Sequence, residues 1–390
     1  MRHRNVRSVK IQSLVGGLCV LCVISGCKGS TASSSPSSAG SATSGATSRT
    51  TSGSSDTSSI TNDAWQSIGY RMEWRGFPGF GRSSEFLSLS AHDEGVVVMD
   101  TQGTISLLDS LSGKTLWISQ LGTGRTKFLG ATIADEQVYC ASDIELYVLD
   151  IRTGDVLDRQ SLAAVVETPP VIVDQVAVFG TTNGEVLGHS LYSGFKLWGY
   201  QLRGSIDAAP IVIDGSIGAV SQGGDVIVLD PTDGTSRGRA RVFGGVQGRL
   251  SAGGGGVYIA SDDQSLYAFD GGNGQRMWRY RTETALEATP SYYDGLVFLD
   301  VPGQGLSAFD AGTGEVFWQS GELRGEVVAL HDDTILVWSG ATLWTADADD
   351  GALLSSASVT QALGIVGADD VSGDVYVLER GGSIAKFATR

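Results

Sequence analysis

A motif that returns about every forty residues constrains the fold of this chain more than any other feature. Its most complete copy spans residues 308–318 with the sequence AFDAGTGEVFW, which is typical of a strand end, a tight turn and a returning strand. In each copy an aspartate or its substitute precedes a glycine by four residues and, where one is present, a tryptophan by eight. These anchor positions are Asp109, Asp150, Ser190, Asp230, Asp270, Asp310 and Asp347.

Each repeat contains signals for about four short strands and three tight turns. Apolar runs such as Val138–Ala141 and Val257–Ala260 precede the anchors, and shorter runs that end in turns such as Asp214-Gly215 precede those. A four-stranded unit of about forty residues is typical of a propeller blade. An eighth copy, Gly382–Ala388, is cut short by the C-terminus. We therefore predict an all-β, eight-bladed propeller of four-stranded blades, closed by an N-terminal strand over Tyr70–Trp74.

We expect the tryptophans of the motif to hold neighbouring blades together. A flat ring eight residues after the anchor can lie over the glycine turn of a neighbouring blade and bury a large apolar area. Three blades have Asp158, Gly238 and Ser355 at this position, so their joints are expected to be weaker. The alternative is that the aromatic rings line a sugar or cofactor site. The predicted docking residues are Trp74, Trp117, Trp198, Trp278 and Trp318.

The N-terminus has the pattern of a secretory leader. Residues 1–10 are basic, and Ile11–Ser25 is an apolar run that is short for a membrane-spanning helix. The sequence Ile24-Ser25-Gly26-Cys27 resembles the bacterial lipobox, which implies that residues 1–26 are a lipoprotein signal peptide and that Cys27 is lipid-modified. An ordinary signal peptide with an incidental cysteine, or a signal anchor, is the alternative.

The next segment, residues 27–62, consists almost wholly of Ser, Thr, Ala and Gly. Such a composition cannot bury enough apolar surface to offset chain entropy, so we expect a disordered tether. The propeller is then expected to occupy residues 63–390.

Charge and cysteine content exclude several functions. Four of the 27 basic residues lie in the leader, so the remaining chain carries a net charge of about −20 and should repel nucleic acids and anionic lipid headgroups. Membrane contact is therefore expected through the lipid anchor, and no nucleic-acid partner is expected. Beyond Cys27 only Cys140 remains, so no disulfide and no cysteine metal site can form within the mature chain.

Residues typical of catalysis are few. His92, His189 and His331 stand far apart, and none has a metal ligand at the usual spacing. Neither a nucleophile elbow nor a phosphate loop is present. Pairs of acids such as Asp262-Asp263 fall in predicted turns, where solvation is the simpler interpretation than Ca²⁺ binding. We expect no catalytic residues, no metal and no cofactor.

One acidic pattern suggests a binding surface. Glu167, Asp207 and Glu287 each stand three residues before a proline, at intervals of 40 and 80 residues, and Lys127 and Gln247 hold the equivalent places in two other blades. Equivalent positions in a propeller lie on one circle, here where the chain enters the innermost strand. We expect a mostly acidic rim that docks a basic segment or a cation. The alternative is a set of solvated loop acids around an inert channel.

A smaller basic stripe alternates along one predicted outer strand. Its alternation is typical of side chains that face solvent, and no binding role is expected for it. The stripe consists of Arg237, Arg239 and Arg241.

The motif Ala-x-Asp-x-x-Thr-Gly-x-x-x-Trp at residues 308–318 resembles the tryptophan-docking motif of the PQQ-type β-propeller family. One branch, the quinoprotein dehydrogenases, uses an adjacent Cys-Cys pair under the quinone, which this chain does not contain. The other branch is the BamB-like outer-membrane assembly lipoproteins. The lipobox, a length near 390 residues, eight blades and the ending GSIAKFATR are all similar to it.

The BamB-like resemblance implies a monomeric, non-enzymatic, lipid-anchored scaffold in the cell envelope, at the outer membrane and facing the periplasm. Such a scaffold binds the barrel-assembly protein and supports the assembly of outer-membrane β-barrel proteins. The alternative is a PQQ-like propeller that binds a small ligand or a glycan, with a quinoprotein-type oxidoreductase activity as one form of it.

Overall fold

The computed structural model describes residues 62–81, 84–368 and 372–390. The predicted signal peptide, Cys27 and the predicted tether up to residue 61 lie outside the described residues, as does the acidic pair Asp369-Asp370. Within the described residues, a single short helix precedes thirty-two strands. No helix among these residues has the length and apolar character that crossing a membrane requires.

The strands form eight four-stranded antiparallel sheets, which we number as blades 1 to 8 along the chain. Helix α1 (Asn62–Ser67) and strand β1 (Tyr70–Gly76) come first. Blades 1 to 4 contain β2 (Phe86–His92), β3 (Gly95–Asp100), β4 (Thr104–Leu108), β5 (Thr115–Gln120); β6 (Phe128–Ala134), β7 (Gln137–Ser142), β8 (Glu145–Asp150), β9 (Val156–Ser161); β10 (Val171–Val173), β11 (Val176–Gly180), β12 (Glu185–Ser190), β13 (Lys196–Gln201); and β14 (Ile211–Ile213), β15 (Ser216–Val220), β16 (Asp225–Leu229), β17 (Ser236–Arg241). Blades 5 to 8 contain β18 (Ser251–Gly253), β19 (Gly256–Ser261), β20 (Ser265–Asp270), β21 (Arg276–Arg281); β22 (Ser291–Tyr293), β23 (Leu296–Val301), β24 (Gly305–Asp310), β25 (Val316–Ser320); β26 (Glu326–His331), β27 (Thr334–Ser339), β28 (Thr342–Asp347), β29 (Leu353–Ser358); and β30 (Ala362–Gly367), β31 (Val375–Glu379), β32 (Ile384–Thr389).

The N-terminal strand closes the ring. Blade 8 has the order β30-β31-β32-β1, with Tyr70 of β1 opposite Thr389 of β32. The ammonium of Lys386 on β32 lies 3.1 Å from a carboxylate oxygen of Glu73 on β1 and 2.9 Å from one of Asp374. The predicted eight-bladed, four-stranded propeller with an N-terminal closing strand is therefore confirmed.

The core is divided among the joints. Eight clusters of buried side chains occur in the described residues, and each one combines residues from two adjacent blades. Between blades 1 and 2, for example, Leu107 and Trp117 pack with Val138 and Tyr147. Each sheet thus buries its apolar side chains against the next one. Because the ring is closed, both faces of every sheet are covered by a neighbouring sheet.

An indole ring over a glycine turn connects five pairs of neighbouring blades. Trp117 of blade 1 lies against Gly154 of blade 2, and its Nε1–H donates to the carbonyl oxygen of Ile151 at 2.7 Å. Gly154 has a φ of 73°, and a Cβ built on it would lie 2.5 Å from the ring, so only glycine suits both the turn and the contact. The other four indoles donate in the same way: Trp74 to Ser110, Trp198 to Pro231, Trp278 to Ala311 and Trp318 to Ala348.

Two of the joints without tryptophan are closed by other contacts. Between blades 2 and 3, Gln160 Nε2 donates to the carbonyl oxygen of Leu191 at 2.9 Å, the place that an indole nitrogen takes elsewhere. Between blades 4 and 5, backbone approaches backbone directly. A Cβ added to Gly238 would lie 1.6 Å from the carbonyl oxygen of Asn273. Glycine is the residue that this close approach requires.

Gly238→Ala should therefore lower the free energy of unfolding by about 1–3 kcal/mol, because the new methyl group forces two backbones apart. Gly312→Ala is the matched control, since neither glycine has a positive φ and a Cβ at residue 312 makes only an ordinary contact of 3.5 Å. Urea denaturation of both variants measures the difference. Equal free energies of unfolding for the two variants would show that the joint between blades 4 and 5 accommodates a methyl group and would contradict the prediction.

Candidate functional site

One face of the ring carries the loops that contain Glu167, Asp207 and Glu287, the acids predicted to bind a partner. After the outermost strand of each blade, a connection leads to the innermost strand of the next blade. On its way it runs beside the hairpin between the second and third strands of that next blade. Backbone hydrogen bonds join the two loops, as from Gln222 N to Ser205 O at 2.8 Å and from Asp262 N to Gly245 O at 3.0 Å. We call this side the connection face. The hairpins with the Asp and Gly of the repeat lie on the opposite face.

The innermost strands differ between two halves of the ring. They have three residues in blades 3 to 6, namely β10, β14, β18 and β22, but six or seven residues in blades 1, 2, 7 and 8. The shorter strands leave longer connections at the mouth of the channel. Glu167, Asp207 and Glu287 all lie in these connections, with Gln247 between the last two. We name Glu167, Asp207 and Glu287 the acidic arc, because they belong to one half of the ring.

Equivalent positions in neighbouring connections contact one another. Lys127 Nζ lies 2.8 Å from Glu167 Oε2, and the backbone N–H of Arg249 donates to Thr289 Oγ1 at 3.2 Å. Each of these pairs is separated by 40 residues in the chain and bridges adjacent blades. The structure thus places the connections side by side around the mouth of the channel.

The three acids of the arc differ in charge balance. Glu167 is half-buried and its charge is offset by Lys127. Asp207 and Glu287 are exposed, and neither side chain forms an ion pair with another described residue. The equivalent residue Gln247 is uncharged, and its side-chain Nε2 donates a hydrogen bond to Asp262 Oδ2 at 3.0 Å. Two carboxylates of the arc therefore remain available to a partner with positive charge.

A groove adjoins Glu287 at one end of the arc. It has a volume of about 540 Å³ and is lined by Thr284, Glu287, Asp300, Pro302 and Arg324, together with two alanines. Arg324 lies 3.8 Å from Asp300, and Asp300 also accepts a hydrogen bond from the N–H of Gly325 at 2.8 Å. Asp300 is thus held in place, and the groove can receive a side chain with a cationic end at Glu287.

The candidate histidines lie in three different blades. His189 is fully buried and forms a 2.8 Å hydrogen bond through Nε2 to Gln160 Oε1. Because an amide oxygen only accepts, the proton must be on Nε2 of His189. His92 bonds to Ser90 Oγ at 2.8 Å, and His331 is 3.6 Å from Asp332. Among the described residues, no group of three or more His, Cys, Asp or Glu side chains is arranged to hold a metal ion.

Cys140 and the five docking tryptophans lie in the buried interior and do not come together in one site. Cys140 is fully buried against Met99, and burial raises the pKa of its thiol. Each tryptophan occupies a different joint and is almost completely buried. Nothing in the sequence alone singles out Gln160, Asp300 and Arg324, because their roles depend on contacts across loops and joints.

Comparisons with known proteins bear on the family and the fold. A family model described as outer membrane protein assembly factor BamB matches residues 62–280 and 183–320. The crystal structure of BamB from Moraxella catarrhalis superposes with a TM-score of 0.65 and 18% identity, covering 82% of this chain and 97% of that chain. The computationally designed Ika8 protein superposes with a TM-score of 0.65 and 16% identity, covering 81% and 99%. The search of curated proteins found no match.

The buried histidines should make stability depend on pH. Burial lowers the pKa of His189 and, against the opposing charges of Glu94 and Asp93, that of His92. Their folded pKa values lie below the unfolded value of about 6.5, so the unfolded state binds more protons as the pH falls, and stability present above that pH is lost below it. Each histidine should contribute up to about 1.4 kcal/mol of this loss by pH 5.5.

Thermal melts of the wild type and of His189→Gln at pH 7.5 and 5.5 measure this effect. The variant should lose less stability on acidification than the wild type. An unchanged pH dependence in His189→Gln would contradict the assignment of a buried neutral imidazole.

Proposed function

Since the chain belongs to the family of the outer membrane protein assembly factor BamB, we propose that it is a non-catalytic propeller scaffold in the assembly of outer-membrane β-barrel proteins. In this role it binds a protein of the barrel-assembly machinery through the connection face. The propeller acts as a monomer and supplies a rigid surface without chemistry of its own.

The acidic arc is the observation that carries this proposal. Asp207 and Glu287 are exposed carboxylates without a counter-charge among the described residues, and a groove of about 540 Å³ begins beside Glu287. A basic loop of a partner can place a Lys or Arg at each carboxylate and seat a side chain in the groove. Because the arc spans only half of the ring, it orients the partner to one side of the axis.

We place the protein at the periplasmic side of the outer membrane, anchored by a lipid on Cys27. The segment between Cys27 and the propeller has about 35 residues, with a root-mean-square span of roughly 30 Å and a limit of about 110 Å when stretched. Such a tether lets the strongly acidic propeller stand clear of an anionic lipid surface while it reaches a membrane-bound partner.

A second candidate function uses the same groove differently. Its volume lies within the range of small-molecule sites, and Glu287, Asp300 and Arg324 offer both signs of charge to a polar ligand or glycan. In this version the protein is a ligand-binding PQQ-like propeller. Uptake of a quinone by the purified protein, together with dye reduction, would favour this version over the scaffold.

Charge reversal in the arc should abolish partner binding. Tagged full-length protein purified from detergent-solubilised membranes should bring barrel-assembly components with it, and Asp207→Lys with Glu287→Lys should recover at least about tenfold less of them. The matched control is Glu315→Lys with Asp349→Lys, which changes the charge equally at exposed hairpins of the opposite face. Recovery of the same partners by the arc variant would exclude the arc as the docking surface, and the absence of barrel-assembly components from the wild type would exclude the scaffold role.

Cys27→Ser should release the protein from the membrane. Without the thiol no lipid can be attached, so the variant should move from the membrane fraction to the soluble fraction or remain as an unprocessed precursor. Fractionation followed by mass spectrometry of the N-terminus distinguishes these states from a lipidated protein. A Cys27→Ser variant that stays membrane-bound with a processed N-terminus would rule out the lipid anchor.

A further inference from the structure

Two neighbouring outer strands carry an unusual density of positive charge. β17 has the sequence SRGRAR and β21 has the sequence RMWRYR, and neither contains an acidic residue. They belong to a protein whose net charge beyond the leader is about −20. We name their six arginines the basic edge: Arg237, Arg239, Arg241, Arg276, Arg279 and Arg281.

The strands that bear these arginines are the outer edges of blades 4 and 5. β17 pairs only with β16 and β21 only with β20, so one side of each strand has no partner strand in the ring. Arg237, Arg239 and Arg241 alternate along β17 and so project from the same face of the sheet. Arg279 and Arg281 hold the equivalent places on β21, forty residues later. An extended chain lying along this edge would meet an arginine at every second residue.

The joint between blades 4 and 5 places β17 against the turn that precedes β21. At this joint Gly238 takes the place of the docking tryptophan, and the turn at Asn273 contacts its backbone directly. No indole ring separates the outer strands here, in contrast to the joints at Trp198 and Trp278. The arginines of β17 face blade 3, where Arg239 lies over Tyr200, whereas Arg279 lies over Phe243, so each of the two outer strands carries its own row of positive charge.

Three of the six arginines of the basic edge have neither an ion pair nor an aromatic ring against them among the described residues. Arg237 is 2.6 Å from Asp230 and Arg279 is 3.3 Å from Asp263, while Arg239 lies over the ring of Tyr200 at 5.9 Å. The remaining three are exposed and form no ion pair with any other described residue: Arg241, Arg276 and Arg281.

Blade 2 shows how an arginine on an outer strand can be neutralised by a carboxylate of the same blade. There Arg159 on the outer strand β9 forms two parallel hydrogen bonds to Glu145, at 2.9 and 2.7 Å. Arg279 holds the equivalent place in blade 5, where Ser265 replaces the glutamate; its Nε donates to Ser265 Oγ at 2.9 Å and its Nη2 lies 3.3 Å from Asp263. Arg241, Arg276 and Arg281 form no ion pair with another described residue, so their guanidinium groups can pair with carboxylates of matching geometry and charge.

From these observations we infer that the basic edge binds an extended acidic polypeptide segment of a partner protein, which pairs with an outer strand while its carboxylates contact the arginines. The exposed edge offers backbone N–H and C=O groups to such a segment. An anionic membrane or a nucleic acid uses only the positive charge, and the negative charge of the rest of the protein repels both. This surface lies on the outer rim, separate from the acidic arc, and takes a partner of opposite charge.

The test uses the full-length protein and a fluorescein-labelled peptide of alternating Glu and Val, followed by fluorescence anisotropy at low and at physiological salt. The wild type should bind the peptide, more weakly as salt rises. Arg241→Glu with Arg281→Glu should weaken binding at least about tenfold. Arg125→Glu with Arg152→Glu is the matched control, since it reverses the charge of two exposed arginines elsewhere and should bind as the wild type does. Circular dichroism of each variant confirms that it is folded.

Three further measurements decide the nature of the ligand. A peptide of alternating Lys and Val should not bind, and the Glu-Val peptide N-methylated at alternate residues should bind at least about tenfold more weakly, because it cannot pair with a strand edge. Vesicles with about 30% phosphatidylglycerol should not retain the delipidated protein. The proposal is overturned if the Glu-Val peptide does not bind, if it binds the Arg241/Arg281 variant or in N-methylated form equally well, or if only the vesicles bind in an arginine-dependent manner.

Discussion

An indole ring that lies over the glycine turn of the next blade and donates its one polar hydrogen to that turn is the contact on which this ring depends. The arrangement buries a large aromatic surface and pairs the indole N–H, whose burial without a partner would cost free energy. It also requires a left-handed glycine, since a Cβ at Gly154 would enter the ring of Trp117. Because both partners recur at fixed places in the repeat, each joint of this kind brings neighbouring blades into the same contact. Two of the joints without a docking tryptophan are held by other contacts, those of Gln160 with Leu191 and of Gly238 with Asn273.

Closure then depends on the N-terminal segment. β1 completes blade 8, and the ring of Trp65 in α1 stacks on Phe387 with centroids 4.0 Å apart. Burial alone would lower the pKa of Lys386, but the hydrogen bonds to Asp374 and Glu73 outweigh it and the pKa is raised. The ammonium therefore stays charged over the physiological range and holds β1 to β32. Since the two ends of the propeller share one sheet, the ring has no open end, and the outer strands of the blades are the sheet edges on its rim.

The architecture could be predicted from the sequence because the same strand and turn pattern recurs in every repeat. The spacing of anchor, glycine and tryptophan defines a blade, and the truncated last repeat implies a strand from elsewhere. The functional surfaces could be predicted only in part. The acids of the arc follow from their spacing, but whether Glu167 is neutralised depends on Lys127 across a joint. Likewise Arg237, Arg239 and Arg241 look alike in the sequence, but Arg239 lies over Tyr200 of the neighbouring blade while Arg241 has no ion pair with another described residue. Contacts between repeats decide both cases, and a repeat pattern does not contain them.

The two proposed surfaces belong to the same half of the ring but differ in position and sign. The acidic arc lies at the mouth of the channel in blades 3 to 6, and the basic edge lies on the rim of blades 4 and 5. A rigid propeller keeps the distance between them constant, so two partners of opposite charge would be held at a fixed separation. Binding of the first then raises the effective concentration of the second near it, without any new contact between them.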